Sequence, residues 1–401
     1  MAMSTDTNTE YIQGVLANPF RLNIGSTQKG IPIVFSDQQY DHIYHDIKNN
    51  NNVTIIDFQG MSEFNMAEYT RAALNRLPKK ETVVVGYISE ALNSAYWNVV
   101  FDIIKSYGYK KIIWVDGGLS PGYLYAHLDD IKIVHHTGTM FFQVLNNNHT
   151  AGYPKDTDII KDRSYYFLSL GRLARRERIY FTKKILDDDN LKEKGIYTCG
   201  WGDHSVETIW NKNNQNDRKS LLLILNEEDI EKFPISLGHR DGEQHHMMEK
   251  FDEAVFNIVQ ESSVGFDHRG YENQYLPEVP PAWCRVNSDR LFFTEKSAKP
   301  FLLSQMPLFI AAPGYVNRLR KLGFDLFDDI IDHSYDKEDN VFKRCDIVFS
   351  ELKRLSELYT LSGWNSVIKM QLSHRFHRNF ILLKELSNES ELAQWINKQL
   401  V

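Results

Sequence analysis

Short apolar segments alternate with longer stretches of helical periodicity through residues 31–136. The predicted strands are residues 31–35, 53–58, 82–87, 111–116 and 131–136, and the helices predicted between them are residues 66–77 and 93–107. Apolar runs of this length, bounded by turn residues, are typical of strands that are buried on both faces. The alternation therefore predicts an α/β fold with a mostly parallel sheet that helices cover on both faces.

The alternation continues in the second half of the chain. The predicted strands there are residues 165–170, 195–200, 256–263 and 307–312, and the predicted helices begin near Gly171 and cover residues 301–305 and 315–322. From Val341 onward, apolar residues recur at every third or fourth position. This spacing predicts a helix with one apolar stripe that faces the core.

The length of the chain indicates more than one domain. A chain of 401 residues predicts two domains, each with its own core. The polar run at residues 146–154 interrupts the apolar pattern and is the predicted linker. We expect an N-terminal α/β domain over residues 1–150, a second α/β domain over residues 151–340, and C-terminal helices over residues 341–401 that pack across the domains.

Composition disfavours several classes of protein. The three cysteines are widely spaced and form no C-x-x-C unit, which predicts neither a disulfide framework nor a cysteine zinc site. Residues 1–10 are polar and no apolar run reaches about 18 residues, so we expect a cytoplasmic protein without a membrane segment. The net charge of −7 disfavours broad nucleic-acid binding. The histidine-rich residues 238–246 lack H-E-x-x-H and are interpreted as a solvated loop, not a metal site.

The segment from Thr294 to Pro300 places an acid and two bases at a predicted helix start. A helix N-terminus offers N–H groups and the positive end of the dipole, so with Lys296 it favours an anion such as a diphosphate. Glu295 could then accept hydrogen bonds from ribose hydroxyls. The strand, glycine turn and helix at residues 307–322 form a unit at whose turn α/β sheets place ligands. The alternative is an ordinary amphipathic helix start with solvated charges.

Basic residues also follow the strand predicted at residues 165–170. Arg172, Arg175 and Arg178 carry planar forks of donors that fit phosphate, and residues 175 and 178 share a helix face. The alternative is a solvated first turn that pairs with nearby Asp or Glu. Glu261 ends a later strand and is a candidate ligand for a sugar or ribose, or else a carboxylate that caps the next turn.

These segments resemble known proteins. The T-E-K at residues 294–296 is similar to a signature in the nucleotide-sugar-binding half of α1,3-fucosyltransferases. The longer run through Gly314, residues 319–327 and residues 332–336 resembles a family of largely phage-encoded glycosyltransferases. That family carries T-E-K-x-x-K-P, then L-R-x-x-G-F-x-x-F and D-x-S-Y-D. Upstream it carries N-R-x-x-R-x-H-R, where this chain has glycine for asparagine and glutamate for histidine.

The resemblance implies a GT-B-like architecture, with two Rossmann-like domains, a cleft between them, and terminal helices that cross back to the first domain. It implies a metal-independent hexosyl- or pentosyltransferase that moves a sugar from a GDP or UDP donor to an acceptor hydroxyl, with no further cofactor. The donor-binding residues that it implies are Arg172, Arg175, Arg178, Glu261, Thr294, Glu295, Lys296 and Lys299.

A transfer that inverts the sugar needs a general base for the acceptor hydroxyl and positive charge for the leaving diphosphate. We expect the base in the first domain, at or just beyond the end of a strand. Asp57, Glu90 and Asp116 all meet this criterion, and each can equally be a helix cap or a turn residue.

The acceptor is left open among a glycan, a protein and a hydroxymethylated base in phage DNA, which would have to be flipped out. A basic stretch at residues 369–378, interleaved with Phe376 and Phe380, fits a DNA acceptor or simply a helix with a charged face. Two other functions compete with the glycosyltransferase. One is a non-enzymatic module that binds nucleotide sugars, and the other is an α/β phosphotransfer enzyme, which the lack of a P-loop disfavours.

Overall fold

The structure is a computed structural model in which two sheets of mainly parallel strands organise the chain. It describes residues 23–26, 32–35, 52–58, 66–87, 94–116, 130–137, 161–171, 176–199, 252–261, 293–387 and 389–400. The described residues fall into two units. The first unit holds those from 23 to 137 together with 389–400, and the second holds those from 161 to 387.

The strands of the first sheet lie in the order in which they occur along the chain. They are β1 (Asn23–Ser26), β2 (Pro32–Phe35), β3 (Val53–Asp57), β4 (Thr82–Tyr87), β5 (Lys111–Asp116) and β6 (Lys132–Thr137). β1 pairs with β2 antiparallel, and the later pairs are parallel. Helices α1 (Met66–Arg76) and α2 (Ser94–Ser106) occur where helices were predicted. β1 was not predicted, because its sequence Asn-Ile-Gly-Ser lacks the strand pattern.

Alternate residues of the central strands of this sheet face the two helices. Ile56, Val85 and Trp114 pack in one core with residues of α1 and α2, where the Trp97 ring lies 4.9 Å from the Trp114 ring. The residues of opposite parity are also fully buried, at Ile55, Val84 and Ile113. Both faces of these strands are therefore buried, in agreement with their continuous apolar sequences.

In the described residues, the second sheet has four parallel strands whose order differs from the chain order. β7 (Tyr165–Gly171), β8 (Gly195–Cys199), β9 (Ala254–Gln260) and β10 (Met306–Ile310) are arranged β10-β9-β7-β8. β8 and β9 thus lie on opposite sides of β7. The gap between the carboxyl ends of β7 and β9 is the switch point of the sheet, where open α/β sheets bind ligands.

Gly195 is required where β8 begins beside β7. A Cβ atom at this position would lie 2.3 Å from the ring of Phe167, which is fully buried in the core of the second unit. Any larger residue would displace that ring, so the close approach of the two strands depends on glycine.

Helices follow and flank the second sheet. They are α3 (Arg176–Asp187), α4 (Glu295–Leu302), α5 (Tyr315–Lys321), a 3-10 turn (Ser334–Lys337), α6 (Val341–Leu358), α7 (Leu361–Val367), a π-helical turn (Ile368–Leu372), α8 (Ser373–Leu386) and α9 (Glu389–Gln399). α9 belongs to the first unit, where Lys111 Nζ donates to the Gln399 carbonyl. The predicted stripe of α6 is buried at Val341, Cys345, Val348, Leu352 and Leu355. No helix in the described ranges has the length and apolar character to cross a bilayer.

Helix α4 includes both the helix start predicted between Thr294 and Pro300 and part of the helix predicted at residues 301–305. It starts at Glu295 because the Thr294 hydroxyl accepts a hydrogen bond from the Lys296 N–H at 3.2 Å. Pro300 therefore lies inside the helix, where it supplies no backbone donor. Ser304 adopts a left-handed conformation, with a φ of 53°, where the chain turns into β10.

Candidate functional site

Three strand ends meet at the carboxyl edge of the second sheet. β7 ends at Gly171 and β9 ends at Gln260. The backbone N–H of the next residue, Glu261, donates to the carbonyl of Ile310 at the end of β10, at 3.0 Å. These strands are neighbours, so their ends form one continuous edge that contains the switch point. A ligand site is expected at this edge.

The start of α4 is attached to this edge through Glu261. The Thr294 hydroxyl donates to one carboxylate oxygen of Glu261 at 2.7 Å, and the backbone N–H of Thr294 donates to the other at 3.3 Å. The same hydroxyl oxygen accepts from the Lys296 N–H. The first turn of α4 is therefore held beside the end of β9.

Two further hydroxyls form a hydrogen-bonded cluster with the Glu261 carboxylate. Ser297 Oγ and Tyr315 OH lie 2.5 and 2.8 Å from Oε1 of Glu261 and 2.5 Å from each other. Glu261 is 1% exposed, and both hydroxyl residues are equally buried. A buried carboxylate is tolerated when it is hydrogen-bonded in this way. Glu261 thus joins β9, α4 and α5. Its role as a ligand and its alternative role as a cap of the next turn both stay predictions, because residues 262–292 lie outside the described residues.

Arg178 is buried beneath the same edge. Its guanidinium donates to the backbone carbonyls of Gln260 at 3.0 Å and Glu261 at 3.3 Å, and the residue is 3% exposed. The structure therefore places Arg178 where it supports the end of β9, and its contact with a donor phosphate stays a prediction. Arg172 and Arg175 lie outside the described residues.

Two lysines lie in the first turns of α4. Lys296 and Lys299 are half-buried, and Lys296 Nζ lies 3.4 Å from Thr294 Oγ1. The ammonium group of Lys296 is therefore beside the positive end of the helix dipole, which suits an anion. Glu295 is the first residue of α4, and its side chain lies outside the described part of the chain.

The glycine turn before α5 does not offer the same donors. Gly314 has a φ of 80°, and its N–H donates to the backbone carbonyl of Asp336 at 2.8 Å. The N–H groups of Val316 and Asn317 donate to the Asp336 carboxylate at 2.8 and 3.0 Å. The donors that would bind an anion at this turn are thus taken by an acid of the same chain. Gly314 also lines a cavity, so a ligand at this turn stays a prediction.

A cavity of about 1060 Å³ lies beside α5, and its lining does not include α4 or Glu261. Arg320 in its wall binds Asp328 through two hydrogen bonds of 2.9 and 2.7 Å. His333, also in its wall, is bonded to the Tyr335 hydroxyl at 2.7 Å and to the Leu326 carbonyl at 2.9 Å. Burial lowers the pKa of His333. These polar groups of the cavity are therefore bonded within the second unit.

Among the predicted bases, Asp57 has a described side chain. It ends β3, is 1% exposed, and accepts a hydrogen bond from the Tyr69 hydroxyl on its backbone carbonyl at 2.9 Å. Burial, and secondarily the charge of Asp57, raises the pKa of Tyr69. Asp116 ends β5 opposite Tyr87, with its side chain outside the described residues, and Glu90 lies wholly outside them. The assignment of the base stays a prediction.

One arginine of the basic stretch in α8 is bonded to acids of the protein itself. Arg375 forms two hydrogen bonds with Asp325 and two with Asp329, at 2.6 to 3.0 Å. Phe376 and Phe380 are buried in the core of the second unit. Buried rings cannot stack on nucleic-acid bases, so the structure favours the interpretation as a helix with a charged face.

Ser297, Tyr315 and Asp336 were not predicted as site residues. Ser297 lies inside the T-E-K-x-x-K-P segment, three residues after Thr294, so helical spacing could have identified it. Tyr315 is 54 residues from Glu261 in the chain, and Asp336 is 20 residues from Val316. No local pattern marks those two contacts.

Neither thiol chemistry nor a metal cluster is evident where the chain is described. Burial raises the pKa of Cys199 to about 12, so this thiol stays protonated near neutral pH. No group of three His, Cys, Asp or Glu side chains in the described ranges could hold a metal, and residues 238–246 lie outside those ranges.

Comparison of the chain with protein-family models, with curated proteins and with solved structures finds no match. Functional assignment therefore depends on the residues and geometry given above.

Proposed function

We propose that this chain is a glycosyltransferase of the GT-B type that moves a sugar from a GDP or UDP donor to an acceptor hydroxyl. The observation that carries the proposal is the position of α4. Its first turn, with Thr294 and Lys296, is held at the carboxyl edge of a parallel sheet beside the switch point. A diphosphate there meets the positive end of the helix and the Lys296 ammonium group. The T-E-K resemblance points to the same residues.

The proposed donor-binding roles follow from charge and position. Lys296 and Lys299 pair with the phosphates, and Glu295 accepts hydrogen bonds from the ribose. Arg172 and Arg175 add bidentate contacts, because a guanidinium fork matches phosphate oxygens. Arg178 contributes positive charge while its donors hold the end of β9.

Transfer with inversion requires three linked events. A general base takes the proton of the acceptor hydroxyl, the acceptor oxygen bonds to the anomeric carbon, and the bond from that carbon to the diphosphate breaks. Positive side chains stabilise the charge on the leaving diphosphate, so we propose that no metal is needed. Asp57, Glu90 and Asp116 are the proposed bases.

A thermal-shift experiment tests the donor part of the proposal. The full chain is mixed with UDP, GDP, CMP, ADP and their common sugars, since a ligand that binds only the native state raises Tm. We expect a shift with one nucleoside diphosphate, and we expect Lys296→Ala to abolish it. Lys321→Ala, which changes an exposed lysine of α5, is the control and should keep the shift. The absence of any shift would contradict the proposal.

Turnover distinguishes the enzyme from its alternatives. We expect nucleoside diphosphate to be released from the bound nucleotide sugar when glycans, proteins or hydroxymethylated DNA are offered as acceptors, and the release should persist in EDTA. Binding without turnover would favour the non-enzymatic module. Strict dependence on Mg²⁺ would favour a phosphotransfer enzyme.

A further inference from the structure

We infer that Ser297 and Tyr315 are positioning residues, which act through the Glu261 carboxylate to hold the start of α4 in the geometry that binds the donor. This inference rests on the proposed function, because it concerns the same helix start. It also assigns Glu261 a positioning role in place of direct contact with the sugar or ribose.

Three elements of the site are joined at one carboxylate. Glu261 follows β9, Thr294 and Ser297 lie at the start of α4, and Tyr315 is the first residue of α5. Hydroxyls of the last three lie 2.5 to 2.8 Å from the oxygens of Glu261. A displacement of the carboxylate would therefore disturb the start of both helices.

The Thr294 hydroxyl is bonded both to the Glu261 carboxylate and to the first turn of α4. The Thr294 hydroxyl donates its single proton to the Glu261 carboxylate at 2.7 Å. The Thr294 oxygen then turns its lone pairs toward the first turn of α4, where it accepts from the Lys296 N–H at 3.2 Å. Glu261 thus orients the cap of the helix on which the proposed phosphate-binding lysines lie.

Aromatic packing gives the Tyr315 hydroxyl a defined place. The ring centroids of Phe293 and Phe309 lie 4.9 and 5.4 Å from that of Tyr315, and all three residues are buried. Phe309 belongs to β10, and Phe293 immediately precedes the cap of α4. The Tyr315 ring is therefore packed against the sheet, and its hydroxyl is held in place beside the Glu261 carboxylate.

A direct ligand role for Glu261 fits this arrangement less well. Its Oε1 accepts from the Thr294 N–H, Ser297 and Tyr315, and its Oε2 accepts from the Thr294 hydroxyl. With 1% of its surface exposed, the residue would have to give up these bonds to reach a sugar.

Amide hydrogen exchange of the full chain measures the positioning without a ligand. Tyr315→Phe keeps the ring and removes the hydroxyl, so we expect exchange at Lys296 and Ser297 to accelerate about two- to tenfold, the effect of one lost buried hydrogen bond. Tyr335→Phe is the matched control. It also removes a buried tyrosine hydroxyl in the second unit, one bonded to Phe309 and His333, and it should leave exchange at α4 unchanged.

Nucleotide affinity of the same proteins measures the consequence for the donor. The probe is the diphosphate that gives the largest thermal shift with the wild-type chain. We expect Tyr315→Phe to raise its Kd about two- to tenfold and Tyr335→Phe to leave it unchanged. Ser297→Ala, which removes the other hydroxyl on Oε1, is the second variant and should behave like Tyr315→Phe.

The outcomes separate this inference from the proposed function. A wild-type chain that binds no diphosphate would overturn the proposed function and the donor-positioning role with it. A wild-type chain that binds one, with unchanged exchange and affinity in Tyr315→Phe and Ser297→Ala, would overturn the positioning role alone. Equal acceleration at α4 in Tyr335→Phe would also overturn it, because the effect would then be general destabilisation.

Discussion

The two sheets of this protein both consist mainly of parallel strands, but they differ in strand order. In the first sheet, as described, the strands follow the chain order from β1 to β6. In the second, β8 and β9 lie on opposite sides of β7. Such a reversal leaves a crevice between two strand ends, because the connections leave in opposite directions. Strand order therefore predicts a ligand site at the second sheet, which strand composition by itself does not indicate.

The starts of α4 and α5 differ in which group accepts hydrogen bonds from the helix N–H groups. At α5, the Asp336 carboxylate binds the helix N–H groups directly. At α4, the Glu261 carboxylate binds the Thr294 hydroxyl, and this hydroxyl binds the helix. A carboxylate therefore lies at both helix starts, but only Asp336 accepts from N–H groups inside its helix, whereas Glu261 accepts from the cap residue Thr294 and leaves the Lys296 N–H to the Thr294 hydroxyl.

The largest expected effect is a loss of turnover when the general base, which we place in the first unit, is replaced. We expect one of Asp57→Asn, Glu90→Gln and Asp116→Asn to lower kcat by about 10²- to 10⁴-fold, which is the contribution of a general base. Nucleotide affinity should stay at the wild-type value, because these residues precede the donor-binding part of the chain. Steady-state kinetics and Kd values for the three variants check this. Wild-type kcat in all of them would remove these carboxylates from the chemistry.

Lys296→Ala and Arg172→Ala should show the opposite pattern. Each is expected to weaken nucleotide binding by roughly 1.5 to 3 kcal/mol, the range for hydrogen bonds to charged groups. Titration calorimetry with the diphosphate found by thermal shift measures the loss, and far-UV circular dichroism confirms folding. Unchanged affinity in a folded variant would exclude that residue from the site.

Removal of the two helix caps tests the contrast between α4 and α5. Asp336→Ala should lower the free energy of unfolding by about 2 kcal/mol and Thr294→Ala by about 1 kcal/mol, because the first loses a charged cap with two bonds. Only Thr294→Ala should also weaken nucleotide binding. Urea denaturation and Kd measurements distinguish the two effects. If Asp336→Ala weakens binding more than Thr294→Ala, the distinction between the helix starts is wrong.

The smallest expected effect is a pH dependence in the second unit. Burial lowers the pKa of His333, although the Leu326 carbonyl and Asp328, 3.9 Å from Nε2, oppose the shift. The neutral ring therefore contributes stability that is fully present above the unfolded-state pKa of about 6.5 and is lost as pH falls through the lower folded-state pKa.

The measurement for this ring is urea denaturation over a series of pH values. The free energy of unfolding should fall more steeply below about pH 6.5 in the wild-type chain than in His333→Gln. His374→Gln changes an exposed histidine of α8 and should keep the wild-type slope. Identical slopes in the wild-type chain and His333→Gln would show that the buried ring does not titrate as its surroundings indicate.

Much of the fold could be read from local patterns. The strands of both sheets occur close to their predicted places, because apolar runs and turn residues are properties of neighbouring positions. A helix start near Thr294 was predicted, but the helix itself was predicted at residues 301–305, whereas α4 covers Glu295–Leu302. β1 was missed because four residues that include glycine carry too weak a signal.

The candidate site was only partly accessible to the same reasoning. Thr294, Lys296 and Glu261 were identified as residue types suited to the chemistry, and the structure brings Thr294 into contact with Glu261. Arg178 was chosen for its affinity for phosphate, and its guanidinium is bonded to backbone carbonyls. A donor such as the Arg178 guanidinium is bonded to a part of the chain that is distant in sequence, and a local pattern does not identify such a partner.

The sequence by itself determined the α/β class, the positions of most strands and the helix start that carries Thr294 and Lys296. These depend on side-chain periodicity and caps, which act over a few residues. The tertiary structure alone decided the reversal of strand order, the Asp336 cap on α5 and the junction of Glu261 with Ser297 and Tyr315. The Asp336 cap and the Glu261 junction join residues 20 to 54 positions apart, and all three features follow from how the whole unit packs.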